Sequence, residues 1–193
     1  LTFFELTTLL SLQIFLKHRC EVLVLEVGMG GRYDATNVVE PLASCVVSVD
    51  YDHQEWLGND LISIMREKLG IARRGRPLFW GESRQSEERK GLTQAFFQEQ
   101  KEKGFEIRRR DTHFGVREGK GFAFYEGTPP LQFELPRWLE HKAPVLQSNF
   151  ALAVAMFGEF LKQGNIAVDR GRKALSTFDD KQGFWPPAFL GRS

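Results

Sequence analysis

Residues 22–37 read VLVLEVGMGGRYDATN, an apolar run followed by a glycine-rich segment. Residues 22–27 form a nearly continuous apolar run rich in β-branched side chains, which is typical of a central parallel strand buried on both faces. The run ends at Gly28, and two further glycines follow within three residues. A turn built from glycines lets the backbone approach a ligand closely. We therefore expect a buried strand that ends in a tight turn.

Further apolar runs along the chain predict three more strands, at residues 44–50, 78–80 and 105–107. Helical patterns separate these runs, at residues 61–73 and 86–103. Strands that alternate with helices favour an α/β domain with a mostly parallel sheet flanked by helices. An earlier helix is expected over residues 1–17, and its apolar residues lie on two faces, so we expect it to be covered on most sides.

The pattern changes in the second half of the chain. Residues 114–116 and 122–124 alternate in polarity around a glycine-rich turn, which predicts an antiparallel hairpin, and residues 131–133 predict a following strand. Apolar helices are expected at 147–162 and 168–178. The parallel sheet is thus joined by a late antiparallel hairpin element.

Composition excludes several classes of protein. The chain has 193 residues, 42% of them apolar and 26% charged, which is typical of one globular domain and excludes disorder. The net charge of +1 argues against nucleic-acid and acidic-membrane partners. No apolar run reaches the roughly 18 residues that span a bilayer. The two cysteines, Cys20 and Cys45, are too few for a disulfide framework and favour a reducing, cytoplasmic location.

Two side chains stand where ligands gather in a parallel sheet. Glu26 lies at the end of the first apolar run, and His53 lies three residues past the second. If the two strands are parallel neighbours, both side chains emerge at one edge of the sheet and predict a divalent-cation site. The alternative is equally open: Glu26 pairs with an arginine and His53 caps a turn.

Other local patterns are weaker. The glycines at 28, 30 and 31 fail the dinucleotide fingerprint, which needs another glycine where Tyr33 stands, and no Walker-type loop occurs in the chain. On spacing alone, Lys68 is a solvated helix residue.

Longer matches change this interpretation. Residues 25–37, LEVGMGGRYDATN, closely resemble a signature of the folylpolyglutamate and dihydrofolate synthases, ATP-dependent amide-forming ligases of the Mur-ligase superfamily. The resemblance continues at residues 52–58 (DHQEWLG), 66–71 (REKLGI) and 1–5 (LTFFE). Weaker matches lie at residues 147–151 and 191–192.

The resemblance implies roles for named residues. Glu26 and His53 would ligate Mg²⁺. Lys68 would be carbamylated and would help to hold a second Mg²⁺, which requires a neutral amine and hence a lowered pKa. Positions that would contact the pterin-bearing substrate are Thr2, Phe4, Asp34 and Ala35. Positions that would contact the nucleotide are Asn149 and Arg192.

The resemblance also implies a reaction. ATP would phosphorylate a carboxylate of dihydropteroate or a reduced folate, and the amine of L-glutamate would attack the acyl phosphate to give an amide, ADP and phosphate. Metal ions bridging phosphate oxygens would neutralise the moving charge. The protein is expected to be a monomer without nucleic-acid or membrane partners.

The family's phosphate loop and its glutamate-binding domain are not found in residues 1–193. We therefore expect this stretch to be a central ATPase-type domain, incomplete at its N-terminus and inactive alone. Two alternatives stay open: another Mur-superfamily amide ligase, such as a muramyl-peptide ligase, and a non-catalytic module that binds a pterin or a nucleotide.

Overall fold

The structure is a computed structural model, and it describes residues 1–117, 121–127, 130–136, 139 and 143–163. The chain divides into two compact units, Leu1–His113 and Phe114–Ser193.

The first unit is built on a three-stranded parallel sheet. Its strands are β1 (Ser44–Val46), β2 (Pro77–Trp80) and β3 (Glu106–Arg109), in the order β1-β2-β3. Cys45 lies opposite Phe79, and Leu78 lies opposite Ile107. All four residues of β2 are buried, as the position between two neighbouring strands requires. The predicted strands at 44–50, 78–80 and 105–107 are therefore confirmed, although the first is shorter than expected.

Helices connect these strands. Between β1 and β2 lie α2 (Gln54–Leu57) and α3 (Leu61–Lys68), and α3 continues into a short 3-10 helix at Leu69–Ile71. Between β2 and β3 lie α4 (Arg84–Arg89) and α5 (Thr93–Lys103). The sequence predicted one helix over residues 86–103. The structure has two because the chain turns at Gly91, whose φ of +67° lies in the left-handed region that glycine tolerates.

The first unit contains one apolar core between the sheet and its helices. Trp80 packs against Phe96 with ring centroids 4.3 Å apart, and the Phe105 ring centroid lies 6.0 Å from that of Phe96. The other buried members come from β1 and β2, from the helices α2, α3 and α5, and from the segments beside them: Val46, Val49, Leu57, Ile64, Met65, Leu69, Leu78, Leu92 and Ala95. This core holds the strand ends and the loops that follow them in fixed positions.

The predicted strand at residues 22–27 is not present. The segment pairs with no strand in the part of the chain that the structure describes, and Val24 is 93% exposed. A strand needs a hydrogen-bonded neighbour, and an apolar run cannot supply one by itself. The prediction rested on apolarity alone, so it was wrong in this structure.

The first helix, α1 (Phe3–Lys17), begins as its sequence indicates. The Thr2 hydroxyl accepts a hydrogen bond from the Glu5 N–H, and the Glu5 carboxylate accepts one from the Thr2 N–H, which is a complete capping box. Hydrogen bonds from the Thr2 N–H and the Thr2 hydroxyl to the Glu5 carboxylate lower the pKa of Glu5, because they favour its charged form. The expected cover is absent, since no residue of α1 is buried in the described structure.

The second unit is an antiparallel sheet covered by one helix. The strands β4 (Phe114–Arg117), β5 (Phe122–Tyr125) and β6 (Leu131–Glu134) pair in sequence order, which confirms the predicted hairpin and the strand after it. The long helix α6 (Pro144–Gln163) packs on this sheet.

Among the described residues, α6 alone is long and apolar enough by length and composition to cross a membrane. Its buried residues include Glu159, whose carboxylate accepts a hydrogen bond of 2.8 Å from the Tyr125 hydroxyl on β5. A core helix of a soluble fold gives the same apolar signature, and the contacts with β4, β5 and β6 show what this helix packs against. The helix predicted at 168–178 lies outside the described residues.

Candidate functional site

The glycine turn at residues 28–31 is held by one carboxylate. Asp34 Oδ2 accepts hydrogen bonds from the N–H groups of Gly28 and Met29, at 2.9 and 3.0 Å. Asp34 Oδ1 accepts bonds from the N–H and the hydroxyl of Thr36, at 2.9 and 2.6 Å. A carboxylate has about four acceptor positions, so these four bonds use its capacity. Asp34 therefore shapes the turn.

A short 3-10 helix at Ala35–Val38 follows the turn, and its last residues tie the turn to the region after α3. The Asn37 amide donates to the carbonyls of Arg32 and Gly70, at 2.9 and 3.2 Å. The Arg73 guanidinium donates back to the Asn37 side-chain oxygen at 2.9 Å and forms an ion pair of 3.2 Å with Glu40. The sequence blocks 25–37 and 66–71, which are far apart in the chain, thus form one structural piece.

The two blocks approach each other so closely that glycine is required at their contact. A Cβ at residue 70 would lie 2.4 Å from the Arg32 Cβ and 2.5 Å from the Arg32 Cα. The Arg32 N–H donates to the Glu67 carbonyl at 3.0 Å, and its guanidinium pairs with the Glu67 carboxylate at 3.1 Å. We call this contact between residues 28–37 and 66–73 the loop interlock.

The residues predicted to contact the pterin-bearing substrate lie near the same turn. The Phe4 ring packs on Gly28, because a Cβ at residue 28 would lie only 2.7 Å from the Phe4 Cζ. Ala35 opens the 3-10 helix that α1 packs against. Thr2 lies at the N-cap of α1 and uses its hydroxyl there. The structure therefore brings Phe4 and Ala35 to one neighbourhood, while Thr2 and Asp34 serve local structure.

His53 lies in the loop after β1, as predicted. It adopts a left-handed conformation, with φ at +48°, and it is the N-cap residue of α2. Its side chain makes no capping hydrogen bond, is 50% exposed, and lies with Nε2 3.5 Å from Asp52 Oδ1. The backbone position agrees with the turn-capping alternative, and the exposed imidazole is accessible to a ligand.

Glu26 and Lys68 are the other two predicted metal-site residues. Glu26 is exposed, and neither side chain forms an ion pair within the described part of the chain, so the alternative in which Glu26 pairs with an arginine is not found there. Lys68 is the half-buried last residue of α3. The described residues contain no group of three or more His, Cys, Asp or Glu that could hold a metal ion.

Sequence reasoning missed a buried charged group beside the His53 loop. Lys90 Nζ lies 2.9 Å from Glu82 Oε1 and 2.7 Å from Asp50 Oδ1, and it also donates to the Val49 carbonyl. Burial alone lowers the pKa of Lys90, but the bonds that Lys90 donates to the Asp50 and Glu82 carboxylates outweigh that effect and raise the pKa. No motif identifies this group, since its members come from three separate segments.

The predicted nucleotide contacts are separated from this region in the chain. Asn149 lies on α6 in the second unit and is exposed. Arg192 lies outside the described residues, so its role stays a prediction.

Known proteins similar to this chain are found both by sequence and by structure. No protein-family model matches the chain. Over 82 residues it is 49% identical to the dihydrofolate synthase/folylpolyglutamate synthase of Escherichia coli, which covers 42% of this chain and 19% of that protein. It is 30% identical over 161 residues to the enzyme of the same name from Buchnera aphidicola subsp. Acyrthosiphon pisum, covering 83% of this chain and 36% of that protein. The chain is a relative of the folylpolyglutamate and dihydrofolate synthases.

Solved synthase structures share the fold. A folylpolyglutamate synthase–AMPPCP–folate complex superposes with a TM-score of 0.69 at 28% identity, covering 86% of this chain and 40% of that one. E. coli FolC in complex with DHPP and ADP superposes with a TM-score of 0.66 at 32% identity, covering 82% of this chain and 36% of that one. A bifunctional folylpolyglutamate synthase/dihydrofolate synthase with Mn, AMPPNP and L-glutamate bound superposes with a TM-score of 0.61 at 34% identity, covering 80% of this chain and 35% of that one.

These synthase comparisons confirm the predicted fold class and the predicted family resemblance. The chain spans between about a fifth and two fifths of the length of these synthases.

Proposed function

We propose that this chain is part of an ATP-dependent ligase that adds L-glutamate to dihydropteroate or to a reduced folate through an acyl phosphate. The observation that carries the proposal is the match of 80% or more of the chain to synthases crystallised with nucleotides, one of them with Mn and L-glutamate also bound. The loop interlock supports it, because it joins the family's two signature blocks into one piece.

The divalent metal is Mg²⁺ in this proposal, and Glu26 and His53 are its protein ligands. A carboxylate oxygen such as that of Glu26 suits Mg²⁺, and both residues are exposed. Because no cluster of three such ligands occurs among the described residues, water and phosphate oxygens would complete the coordination. When bound, the metal would neutralise phosphate charge.

Lys68 has the proposed role of a carbamylated lysine near a second Mg²⁺. Its place at the end of α3 is next to the loop interlock, since a Cβ at Gly31 would lie 3.0 Å from the Lys68 carbonyl. The interlock therefore fixes the backbone that carries Lys68 relative to the glycine turn. Carbamylation would convert a cation into an anionic oxygen ligand.

The proposed contacts to the pterin-bearing substrate differ in kind. Phe4 and Ala35 are placed to touch it beside the glycine turn. Asp34 and Thr2 act through the backbone that they hold, because their side-chain oxygens accept bonds from nearby N–H groups. Asn149 and Arg192 are proposed to contact ATP.

The remaining features of the proposal concern the whole protein. We propose that residues 1–193 form one central ATPase-type domain of a longer, monomeric and cytoplasmic ligase, and that the stretch alone does not turn over. Its phosphate loop and glutamate-binding domain would be supplied from outside residues 1–193.

The test uses the full-length protein in an ATP- and glutamate-dependent assay with dihydropteroate and with a reduced folate separately. Glu26→Ala and His53→Ala should each abolish glutamate addition with the fold intact by circular dichroism. The control is Glu21→Ala, which changes a nearby exposed carboxylate. Near-normal turnover by either variant at saturating Mg²⁺ would exclude the ligand assignment.

Lys68 has its own experiment. Lys68→Ala should lose activity and recover part of it when a short carboxylic acid supplies the missing oxygens. Complete loss without recovery would leave no support for a carbamate.

A further inference from the structure

The loop that carries His53 is fixed at its start by side chains. Val49 is completely buried, and its N–H donates to Glu82 Oε1 at 2.7 Å. Its carbonyl accepts a bond of 2.7 Å from Lys90 Nζ. Val49 lies three residues beyond the end of β1 at Val46. Both of its backbone polar groups are therefore satisfied by one ion pair, in place of strand pairing.

The ion pair extends to the loop itself. Lys90 Nζ also contacts Asp50 Oδ1 at 2.7 Å. The Glu82 side chain is 4% exposed and that of Lys90 is 14% exposed, whereas that of Asp50 is 66% exposed. A carboxylate as buried as Glu82 needs a charged partner, and Lys90 supplies it. We call the group formed by Val49, Asp50, Glu82 and Lys90 the Val49 clamp.

The parallel sheet places the clamp residue Glu82 beside the segment that follows β1. Gly81 follows β2 directly, and its N–H donates to the Val46 carbonyl at 2.8 Å. A Cβ at residue 81 would lie 2.3 Å from the Val47 carbonyl oxygen, so only glycine permits this approach. The next residue is Glu82, which therefore emerges beside the backbone that leaves β1.

His53 depends on such fixed surroundings. Its left-handed conformation is unfavourable for a residue with a Cβ and persists only where neighbouring structure imposes it. On its C-terminal side, the His53 carbonyl accepts bonds from the N–H groups of Trp56 and Leu57, at 2.9 and 3.0 Å. On its N-terminal side, the nearest anchors are Asp50 and Val49 in the clamp.

We propose that Glu82 and Lys90 are positioning residues that hold the segment 49–53, and with it His53, in the geometry for metal binding. The inference rests on the proposed metal-ligand role of His53. A role in stability alone is the competing explanation, because breaking a buried ion pair also destabilises a fold. The two explanations differ in where the effect of a substitution appears.

The experiment compares four variants of the full-length protein. Lys90→Met removes the bonds to Val49, Asp50 and Glu82. Glu82→Gln keeps an oxygen that can accept from the Val49 N–H. The double variant Lys90→Met/Glu82→Gln avoids a lone buried charge and so remains folded. Arg84→Met is the matched control, because Arg84 pairs with Glu88 on the exposed face of α4, where its side chain is 85% exposed.

Two measurements are made on each variant. The first is hydrogen–deuterium exchange of peptides covering residues 47–57, without metal. The second is Mn²⁺ binding with AMPPNP, followed by electron paramagnetic resonance. Loss of a group that orients a metal ligand typically weakens metal binding by roughly 10- to 100-fold.

We expect faster exchange confined to residues 47–57 and Mn²⁺ binding weakened by about tenfold or more in Lys90→Met and in the double variant. Glu82→Gln should show a smaller effect, and Arg84→Met none. Wild-type Mn²⁺ affinity in the double variant would overturn the proposal, and so would an exchange increase spread evenly over the protein.

The exchange result is independent of the proposed function. If the wild-type protein shows no glutamate-adding activity, the function is wrong, while local exchange at 47–57 still decides whether the clamp holds the loop.

Discussion

Substitution of Gly70 by alanine tests the loop interlock directly. Gly70 lies in the 3-10 helix after α3, at a backbone conformation open to any residue, so backbone strain is not involved. The new Cβ would lie 2.4 Å from the Arg32 Cβ. Ordinary van der Waals contact begins at 3.4 Å, so Arg32 and the turn around it have to retreat by about 1 Å.

The size of the effect follows from the bonds that this retreat breaks. It would stretch the bonds from the Arg32 N–H to Glu67 and from the Asn37 amide to Gly70, now 3.0 and 3.2 Å long, beyond hydrogen-bonding distance. A half-buried hydrogen bond contributes about 1 kcal/mol. Repulsion adds about 1 kcal/mol more, and the better helix propensity of alanine returns about 1 kcal/mol. The net loss is about 2 kcal/mol.

Hydrogen exchange of the Arg32 amide measures this loss locally. Since about 1.4 kcal/mol corresponds to a factor of ten, protection should fall roughly 30-fold. The control is Gly91→Ala, because Gly91 has a φ of +67° and no atom within 4 Å of its would-be Cβ, so it introduces strain without a clash. It should leave Arg32 protection unchanged. Wild-type protection of Arg32 in Gly70→Ala would show that the loop interlock accommodates a Cβ at residue 70.

Three further predictions concern other parts of the molecule. Burial raises the pKa of the Cys45 thiol to about 11, so only about one molecule in a thousand carries the Cys45 thiolate at pH 8. Iodoacetamide should therefore modify the exposed Cys20 but not Cys45 in the folded protein, and peptide mass spectrometry would detect the difference. Hydrogen bonds from the Ser63 hydroxyl and N–H lower the pKa of Asp60 at the N-cap of α3. The charge of Asp60 therefore stabilises the fold above the unfolded-state pKa of about 3.9, and this stabilisation is lost as the pH falls through the lower pKa of the folded state. Urea unfolding should therefore show Asp60→Asn as less stable than wild type at pH 7, with the difference closing below about pH 3.9. Tyr125→Phe removes the hydroxyl that donates to buried Glu159 and should cost about 1–3 kcal/mol in the same assay at pH 7.

Each of these has a clear contrary result. Equal labelling of both cysteines before unfolding would contradict the burial of Cys45. A difference between Asp60→Asn and wild type that is independent of pH would show that the charge is not involved. For the tyrosine, the control is Tyr33→Phe, since Tyr33 is 88% exposed. Equal stability of the two Tyr→Phe variants would contradict a structural role for the Tyr125 hydroxyl.

Much of the fold could be predicted from local patterns. The strand at 78–80 has a continuous apolar run and proved to be the central one, and the hairpin of β4 and β5 was visible from alternating polarity. The run at residues 22–27 has a similar composition to a buried strand but has no strand partner among the described residues. Pairing is a long-range property, and apolarity alone does not report it.

In the candidate site, too, local features could be predicted from the sequence and long-range contacts could not. His53 was placed correctly after β1, because the end of a strand is visible in sequence. The structural use of Asp34 was not visible, because its hydrogen bonds depend on the path of the turn. The clamp residues Glu82 and Lys90 were missed for a related reason: each looks like an ordinary surface charge until the sheet brings Glu82 beside Val49.

The loop interlock has a consequence for how the chain responds to a cut. It fastens residues 28–37 to 66–73, and β1 pairs with β2 inside the same unit, so residues 38–65 form a closed loop whose two ends are held together. A protease that nicks the exposed stretch at residues 50–56 would divide the backbone and still leave two pieces bound by these contacts. Separately produced fragments ending and beginning in that stretch would then be able to reassemble into the same unit.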